Sequence, residues 1–325
     1  MTTSTHKKTA AQDISTLGGF MAGGVASCLA VTFTNPIEIV KTRLQLQGEM
    51  AAKDASVPRP YKNTFQALGA IYKNEGARAL QKGLGCAYVY QIGLNGCRLG
   101  LYEPVRVNLN KLFYADQDPY KVQNVSINVF TGAVTGMAGA VAGNPFFLIK
   151  TRMQSYSTAI QVGQQTHYSS SWAGLRTILR IEGVRGLYRG VDAAMLRTGA
   201  GSSVQLPAYN MAKGFAQRHD LISEGPALHL LSSTFAGIGV GLAMNPWDVI
   251  LTRLYNQKGN FYSGPIDCFQ KTVRSEGVMA LYKGLGAQLL RIAPQTVLTL
   301  TFMEQTMKAA HYFENEVLPI QKLAA

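Results

Sequence analysis

The stretch Pro36-Ile37-Glu38-Ile39-Val40-Lys41-Thr42-Arg43-Leu44-Gln45 returns twice more in the 325-residue chain. The second copy is Pro145-Phe146-Phe147-Leu148-Ile149-Lys150-Thr151-Arg152-Met153-Gln154, and the third is Pro246-Trp247-Asp248-Val249-Ile250-Leu251-Thr252-Arg253-Leu254-Tyr255. The prolines fall 109 and then 101 residues apart (145 − 36; 246 − 145). Repetition at that period sets the architecture before any local reading does. Each copy closes a run free of Asp, Glu, Lys and Arg: 24 residues over Ile14–Ile37, 28 over Val122–Ile149 and 23 over Gly225–Trp247. About 20 apolar residues suffice to cross a bilayer as a helix. A proline there is expected to kink its helix, and the charges behind it stand where the apolar span ends.

Composition agrees with a membrane chain that encloses water. Charged residues make up 15% of the sequence, against about 25% in soluble domains, yet mean hydropathy is only +0.03. Much of the surface must therefore be polar loop or aqueous cavity. The net charge of +13 suits nucleic acid, acidic lipid or anionic solutes. No basic run with interleaved aromatics occurs, so nucleic acid is not expected as a partner. Cys28, Cys86, Cys97 and Cys268 form neither a C-x-x-C pair nor a metal-ligand spacing. No nucleophile–base pair or cofactor loop is present either, so no enzyme, metal or cofactor is expected.

The rest of the chain keeps the same period. Residues 1–13 read as a polar tail without a transit or signal pattern, and 314–325 as a C-terminal tail; between them lie repeats at 14–112, 113–217 and 218–313. Each charge-free span carries a pair of small residues 13 and 9 positions before its proline, Gly23/Ser27, Gly132/Gly136 and Ser233/Gly237, which lets helix backbones approach in lipid. A short amphipathic stretch then ends in Glu75-Gly76, Glu182-Gly183 or Glu276-Gly277, and seven residues past that glycine stands Lys82-Gly83, Arg189-Gly190 or Lys283-Gly284. Glycines after a base that lead into a helix suit phosphate binding or simple capping. Less apolar spans follow at about 84–112, 191–217 and 285–313. Two spans per repeat return the chain to the same side, so the repeats are direct ones about an axis along the membrane normal. The loops at about 47–60 and 156–168 have no apolar period and read as flexible, with His167 solvent-facing.

Tyr90, Arg197 and Arg291 are one residue per repeat, each 13 before Glu103, Asn210 or Glu304. Their depth is near mid-membrane and neither arginine has an acid at its own depth. A charge there costs about 3 kcal/mol on insertion scales, so it marks function, and the guanidinium is a planar fork for carboxylate. Arg98 lies just over two turns from Tyr90 and is expected on the same face, with Gln91 and Asn95 as nearby polar groups.

Pro-x-acid-x-x-base-x-base, three times in phase, resembles the signature of the mitochondrial carrier family over nearly all of the chain beyond the tail. The resemblance implies an all-α membrane protein with six tilted transmembrane helices around a central cavity, three short matrix-side surface helices, and both termini on the intermembrane-space side of the mitochondrial inner membrane. It implies a matrix gate in which the acid of one odd helix pairs with the base of the next: Glu38 with Lys150, and Asp248 with Lys41. The third pair is apolar here, Phe147 and Leu251. Both partners are gone together, as expected if a lone buried charge is costly while an apolar pair is tolerated. Gln45 and Gln154 match the bracing glutamine of that gate, with Tyr255 in its place in the third repeat. The second family signature is intact as Tyr102-Glu103-Pro104-Val105-Arg106 and degraded afterwards, leaving Glu103 with Lys213 and Glu304 with Arg106 as the expected cytoplasmic gate. Tyr90, Arg197-Thr198 and Arg291 match the family's substrate contact points, and Arg197-Thr198 is similar to its keto-acid carriers. The stretches Gln91–Gly96, Arg197–Pro207 and Met244–Asp248 resemble one anion-carrying branch of the family, which implies oxaloacetate, sulfate, thiosulfate, malonate or isopropylmalate, moved by exchange or proton-coupled uptake by a monomer. A dicarboxylate–phosphate exchanger and a dissipative conductor of uncoupling-protein type remain as alternatives. Gly83, Gly190 and Gly284 are implied to bind cardiolipin.

Overall fold

The computed structural model describes residues 16–49, 60–114, 118–120, 122, 124–219 and 225–313; the two tails and most of the 47–60 loop lie outside them. Six long helices carry the fold: α1 (Thr16–Leu46), α3 (Leu84–Phe113), α4 (Val125–Ser155), α7 (Val191–Arg218), α8 (Pro226–Asn256) and α10 (Leu285–Tyr312). Shorter helices lie between the members of each pair: α2 (Thr64–Glu75), α5 (Ser171–Ile181) with α6 (Gly183–Leu187), and α9 (Pro265–Glu276). The chain is all-α, with no strand among the described residues. Each long helix packs on its neighbours in chain order and α10 closes on α1, so the six form a ring.

Among the described residues, only the odd members of the six (first, third and fifth in chain order: α1, α4 and α8), and not the even members (α3, α7 and α10), are long and apolar enough to span a membrane by composition. The even helices fall short because polar residues on them line the interior. All six run unbroken through an internal proline: Pro36, Pro104, Pro145, Pro207, Pro246 and Pro294. Gly136 and Gly237 of the small pairs seat side chains of neighbouring helices, whereas a Cβ on Gly132 would meet nothing within 4 Å. A Cβ on Gly136 would stand 3.0 Å from the Thr198 methyl, and one on Gly237 2.6 Å from Ile292 Cγ2.

At the end carrying the proline motifs, a repeated set of clips holds the short helices. Asn63 Oδ1 accepts from Gln66 N at 2.8 Å and Ser170 Oγ from Ala173 N at 3.1 Å, which starts α2 and α5 with N-caps. Arg43 pairs with Glu75, Arg152 with Glu182 at 2.8 Å and Arg253 with Glu276 at 2.6 Å. The base before each repeated glycine reaches the same acid (Lys82, Arg189, Lys283) and also donates to a carbonyl at the end of the next odd helix: Tyr156 O at 3.2 Å, Gln257 O at 3.2 Å and Gln47 O at 2.7 Å. Asn35, Asn144 and Asn245, each just before its proline, donate to the carbonyls of Leu80, Leu187 and Leu281. One acid thus ties a surface helix to its own repeat and, through the base, to the next.

The segment 156–168, read from sequence as flexible, is packed instead. Val162 is buried beside Ile39, Val40 and Leu46 of the first repeat, Ser157 Oγ donates to Glu75 Oε1 at 2.8 Å, and Gln164 Oε1 accepts from Lys258 N at 2.5 Å. Its two aliphatic residues, Ile160 and Val162, find a core supplied by another repeat, which its own composition does not reveal. His167 is exposed and lies against the Tyr156 ring.

Candidate functional site

A cavity of about 260 Å³ lies inside the ring, lined by residues that include Glu38, Tyr90, Gln91, Lys150, Arg197, Thr198 and Arg291. Its floor is a layer of buried charge. Lys150 Nζ meets Glu38 Oε1 at 2.8 Å, and Lys41 Nζ meets Asp248 Oδ2 at 2.7 Å. Each bridge joins two odd helices, α4 to α1 and α1 to α8. The third junction, α8 to α4, carries no charge. Phe147 packs there with Tyr90 at 4.7 Å and Tyr255 at 5.8 Å between ring centroids, against the cluster that holds Leu251.

The arginines do not stand apart from this layer, contrary to the sequence-based expectation. Arg197 Nε donates to Asp248 Oδ1, and Arg291 Nη1 lies 3.8 Å from Glu38 Oε1. A buried guanidinium needs a counter-charge, and the nearest carboxylate is one layer below. Each acid therefore serves a lysine and an arginine. Four cations and two carboxylates leave the floor with a charge of +2. Arg291 is held the more loosely, and its Nε has no hydrogen-bond partner among the described residues.

Below the bridges, the residue four places after each of Lys41, Lys150 and Leu251 takes part in a contact to a neighbouring helix. Thr252 Oγ1 donates to Gln45 Oε1 at 2.9 Å, Gln154 Nε2 donates to Asn35 Oδ1 at 3.0 Å, and Tyr255 Oη donates to Asn144 Oδ1 at 2.6 Å. Tyr255 thus crosses from α8 to α4, the junction that lacks an ion pair.

Other expected residues sit differently. Asn95 Nδ2 donates to Ser27 Oγ at 3.2 Å, so it joins α3 to α1 and does not line the cavity. The Thr198 hydroxyl donates to Ala194 O. Arg98 lies outside the residues whose side chains are described. At the opposite end of the ring, Arg106 does not meet Glu304. It pairs with Glu103 on its own helix at 2.8 Å and reaches the carbonyls of Tyr120 and Val122. Glu103 and Glu304 are both exposed. Arg106 has an acid one turn back on its own helix, which gives its guanidinium a local partner.

Gly83, Gly190 and Gly284 stand at the starts of α3, α7 and α10 with φ of 76°, 70° and 77°. They also lie against the next odd helix. A Cβ on Gly83 would come 3.1 Å from Lys150 O, one on Gly190 3.2 Å from Tyr255 Cε1, and one on Gly284 3.2 Å from Lys41 O.

The sequence profile of the family described as "Mitochondrial carrier protein" matches residues 12–112, 121–220 and 223–313. The chain belongs to that family. This places the carrier in the mitochondrial inner membrane. It is 63% identical over 312 residues, 96% of this chain and 95% of the relative, to the mitochondrial oxaloacetate transport protein of Saccharomyces cerevisiae. It is 51% identical over 312 residues, 96% of each chain, to the protein of the same name in Schizosaccharomyces pombe. It is 52% identical over 303 residues, 93% of this chain and 96% of the relative, to the mitochondrial citrate transporter E of Aspergillus niger.

Several residues that shape the carrier's site escaped the sequence reading. The Asp248–Arg197 contact joins residues 51 positions apart, and no local pattern marks it. Gln205, Met244 and Gln295 also line the cavity; Thr34 Oγ1 donates to Gln295 Oε1 at 2.5 Å, tying α1 to α10. The Arg–Glu clips did leave a signal, since Arg43, Arg152 and Arg253 recur in phase with Glu75, Glu182 and Glu276.

Proposed function

We propose that the chain carries small dianions across the inner membrane by alternating access: oxaloacetate, malonate, isopropylmalate, sulfate and thiosulfate. The observation that carries this reading is the floor of the cavity, where four cations face two carboxylates in a volume of about 260 Å³. A dianion neutralises the surplus of two, and a space of that size takes only a small solute. The names of the yeast relatives support oxaloacetate within this class.

The chain acts as a transporter and not as an enzyme. Arg197, Arg291, Thr198, Tyr90 and Gln91 form the substrate site. Glu38, Lys41, Lys150 and Asp248 form the matrix gate, braced by Gln45, Gln154 and Tyr255. An entering dianion offers the arginines carboxylate or sulfate oxygens in exchange for Asp248 and Glu38. Each gate acid then keeps its lysine alone. The substrate thereby loosens the layer that shuts the matrix end, and its differential affinity for the two states drives the change. Glu103, Arg106, Lys213 and Glu304 form the opposing cytoplasmic gate once the even helices converge. Both termini face the intermembrane space, the protein works as a monomer, and the helix starts at Gly83, Gly190 and Gly284 hold cardiolipin phosphates. The 33% identity to mitochondrial uncoupling protein 4 of Arabidopsis thaliana, over 90% of this chain, keeps a dissipative conductor as a second reading.

The test is uptake into proteoliposomes with a panel of radiolabelled anions, with Arg197→Ala beside the native protein. The native protein should take up oxaloacetate and sulfate against an internal dianion, and Arg197→Ala should fall to the rate of empty liposomes. Wild-type uptake by Arg197→Ala at matched protein amounts would sink the assignment of the site. Uptake with no anion selectivity, together with a proton leak, would favour the conductor.

A further inference from the structure

In the first and third repeats the motif position two after the proline is an acid, Glu38 or Asp248; in the second repeat it is Phe147. An aromatic at a carboxylate position in a closing gate reads at first as apolar filler. The geometry points to more. Lys150 Nζ lies 5.3 Å from the centre of the Phe147 ring, and the Arg197 guanidinium carbon lies 5.4 Å from the same centre. Both are inside the roughly 6 Å within which a cation is attracted to the ring quadrupole. The ring itself is fixed by Tyr90 and Tyr255 and lines the cavity.

We infer that Phe147 is a positioning residue that sets the affinity of the site for dianions: its ring holds the Arg197 guanidinium at the cavity, in part-competition with Asp248. This rests on the reading of Arg197 as the substrate's guanidinium. A carboxylate at 147 would hold Arg197 and Lys150 as a second acid, and an incoming dianion would have to displace it. A branched alkyl group of similar size would give Arg197 nothing, and the guanidinium would settle wholly on Asp248. The aromatic ring is intermediate. It attracts the cation through its face without a formal charge, and that attraction does not have to be replaced atom for atom by the substrate's oxygens. The second repeat therefore keeps its surplus of positive charge available at the cavity and not locked in the gate.

The consequence is a split between binding and turnover. Phe147→Leu keeps the site apolar and removes no charge from either ion pair of the gate. It should raise KM for sulfate and oxaloacetate about tenfold, in line with the loss of one partly buried cation–π contact, while the maximal rate changes much less. Phe147→Tyr should restore KM to near the native value, and Phe147→Trp, with the strongest ring face, should give a KM at or below it. Initial uptake rates over a range of external sulfate give both constants for each protein. If Phe147→Leu does not reconstitute, Phe147→Met takes its place, being apolar and unbranched. A KM for the aliphatic variant within twofold of native overturns the inference. So does a loss that Tyr and Trp share, since the ring face would then not be what matters. Native protein and Arg197→Ala are assayed alongside. If the native protein takes up no dianion, the reading of the function fails; if it does and Arg197→Ala does not, a flat Phe147 series condemns this inference alone.

Discussion

Glu75 shows how one side chain at the proline-motif end of the ring is fixed by its surroundings. Its side chain is only 3% exposed, yet it takes Arg43, Lys82 and the Ser157 hydroxyl as partners. Burial pushes the carboxyl up, but hydrogen bonds from Arg43 and Ser157 outweigh it and hold the pKa at about 2. Burial likewise acts on Glu276, and Arg253 with Lys283 brings it below the ordinary range. A carboxyl depressed on folding contributes stability in full above its unfolded pKa of roughly 4.3, and that stability is lost as the pH falls towards 2. Glu75→Gln should therefore lower the melting temperature of the detergent-solubilised carrier at pH 7, leaving the buried Arg43 without its carboxylate at a cost of roughly 3 kcal/mol. The gap to the native protein should close as the pH is lowered from about 4 to 2. A gap that stays constant over that range would show that Glu75 does not titrate with the stability.

Among the elements, the odd helices were legible from sequence because charge-free runs of spanning length allow little else, and the proline motifs fixed their ends. The even helices were legible mainly by phase: they are too polar to stand out, since Gln91, Thr198 and Arg291 line the cavity. The 156–168 segment was misread because the partners of Val162 and Gln164 lie in other repeats. Gly83, Gly190 and Gly284 were legible as repeated glycines, but their second constraint, the neighbouring odd helix, is tertiary. That constraint can be separated from backbone conformation. Gly284 and Gly259 both have positive φ, 77° and 70°, but a Cβ on Gly284 meets Lys41 O at 3.2 Å and Gln45 Cγ at 3.1 Å, while one on Gly259 meets nothing within 4 Å. Both Gly→Ala changes incur the left-handed penalty of about 1 kcal/mol. Only Gly284→Ala also pushes α10 from α1, so it should lose more thermal stability. Equal losses in the two variants, measured by thermal shift, would remove the helix contact as a cause.

For the molecule as a whole, the proline-motif end of the ring is held by two bridges that are not equivalent, and this sets what charge reversal can do. Reversing one member of a bridge leaves two like charges buried together, a loss of at least roughly 3–5 kcal/mol from the closed state, so Glu38→Lys, Lys150→Glu, Lys41→Asp and Asp248→Lys should each impair transport. The paired exchanges restore the bridge itself but also move a charge relative to the arginine above it. In Glu38→Lys with Lys150→Glu, the new lysine faces Arg291, which stands 3.8 Å from the original carboxylate and is loosely held. Arg291 can swing into the cavity, and uptake should return in part. In Lys41→Asp with Asp248→Lys, the new lysine faces Arg197, which is hydrogen-bonded directly to the original carboxylate and held beside Phe147. Two cations then share one buried place, and the restored bridge cannot form without expelling the guanidinium from its seat. Recovery should be clearly greater for the 38/150 exchange than for the 41/248 exchange, in initial uptake of sulfate at equal reconstituted amounts. Equal recovery would mean that the arginines do not couple to the gate, and recovery in neither exchange would count against the pairing of the helices at this end.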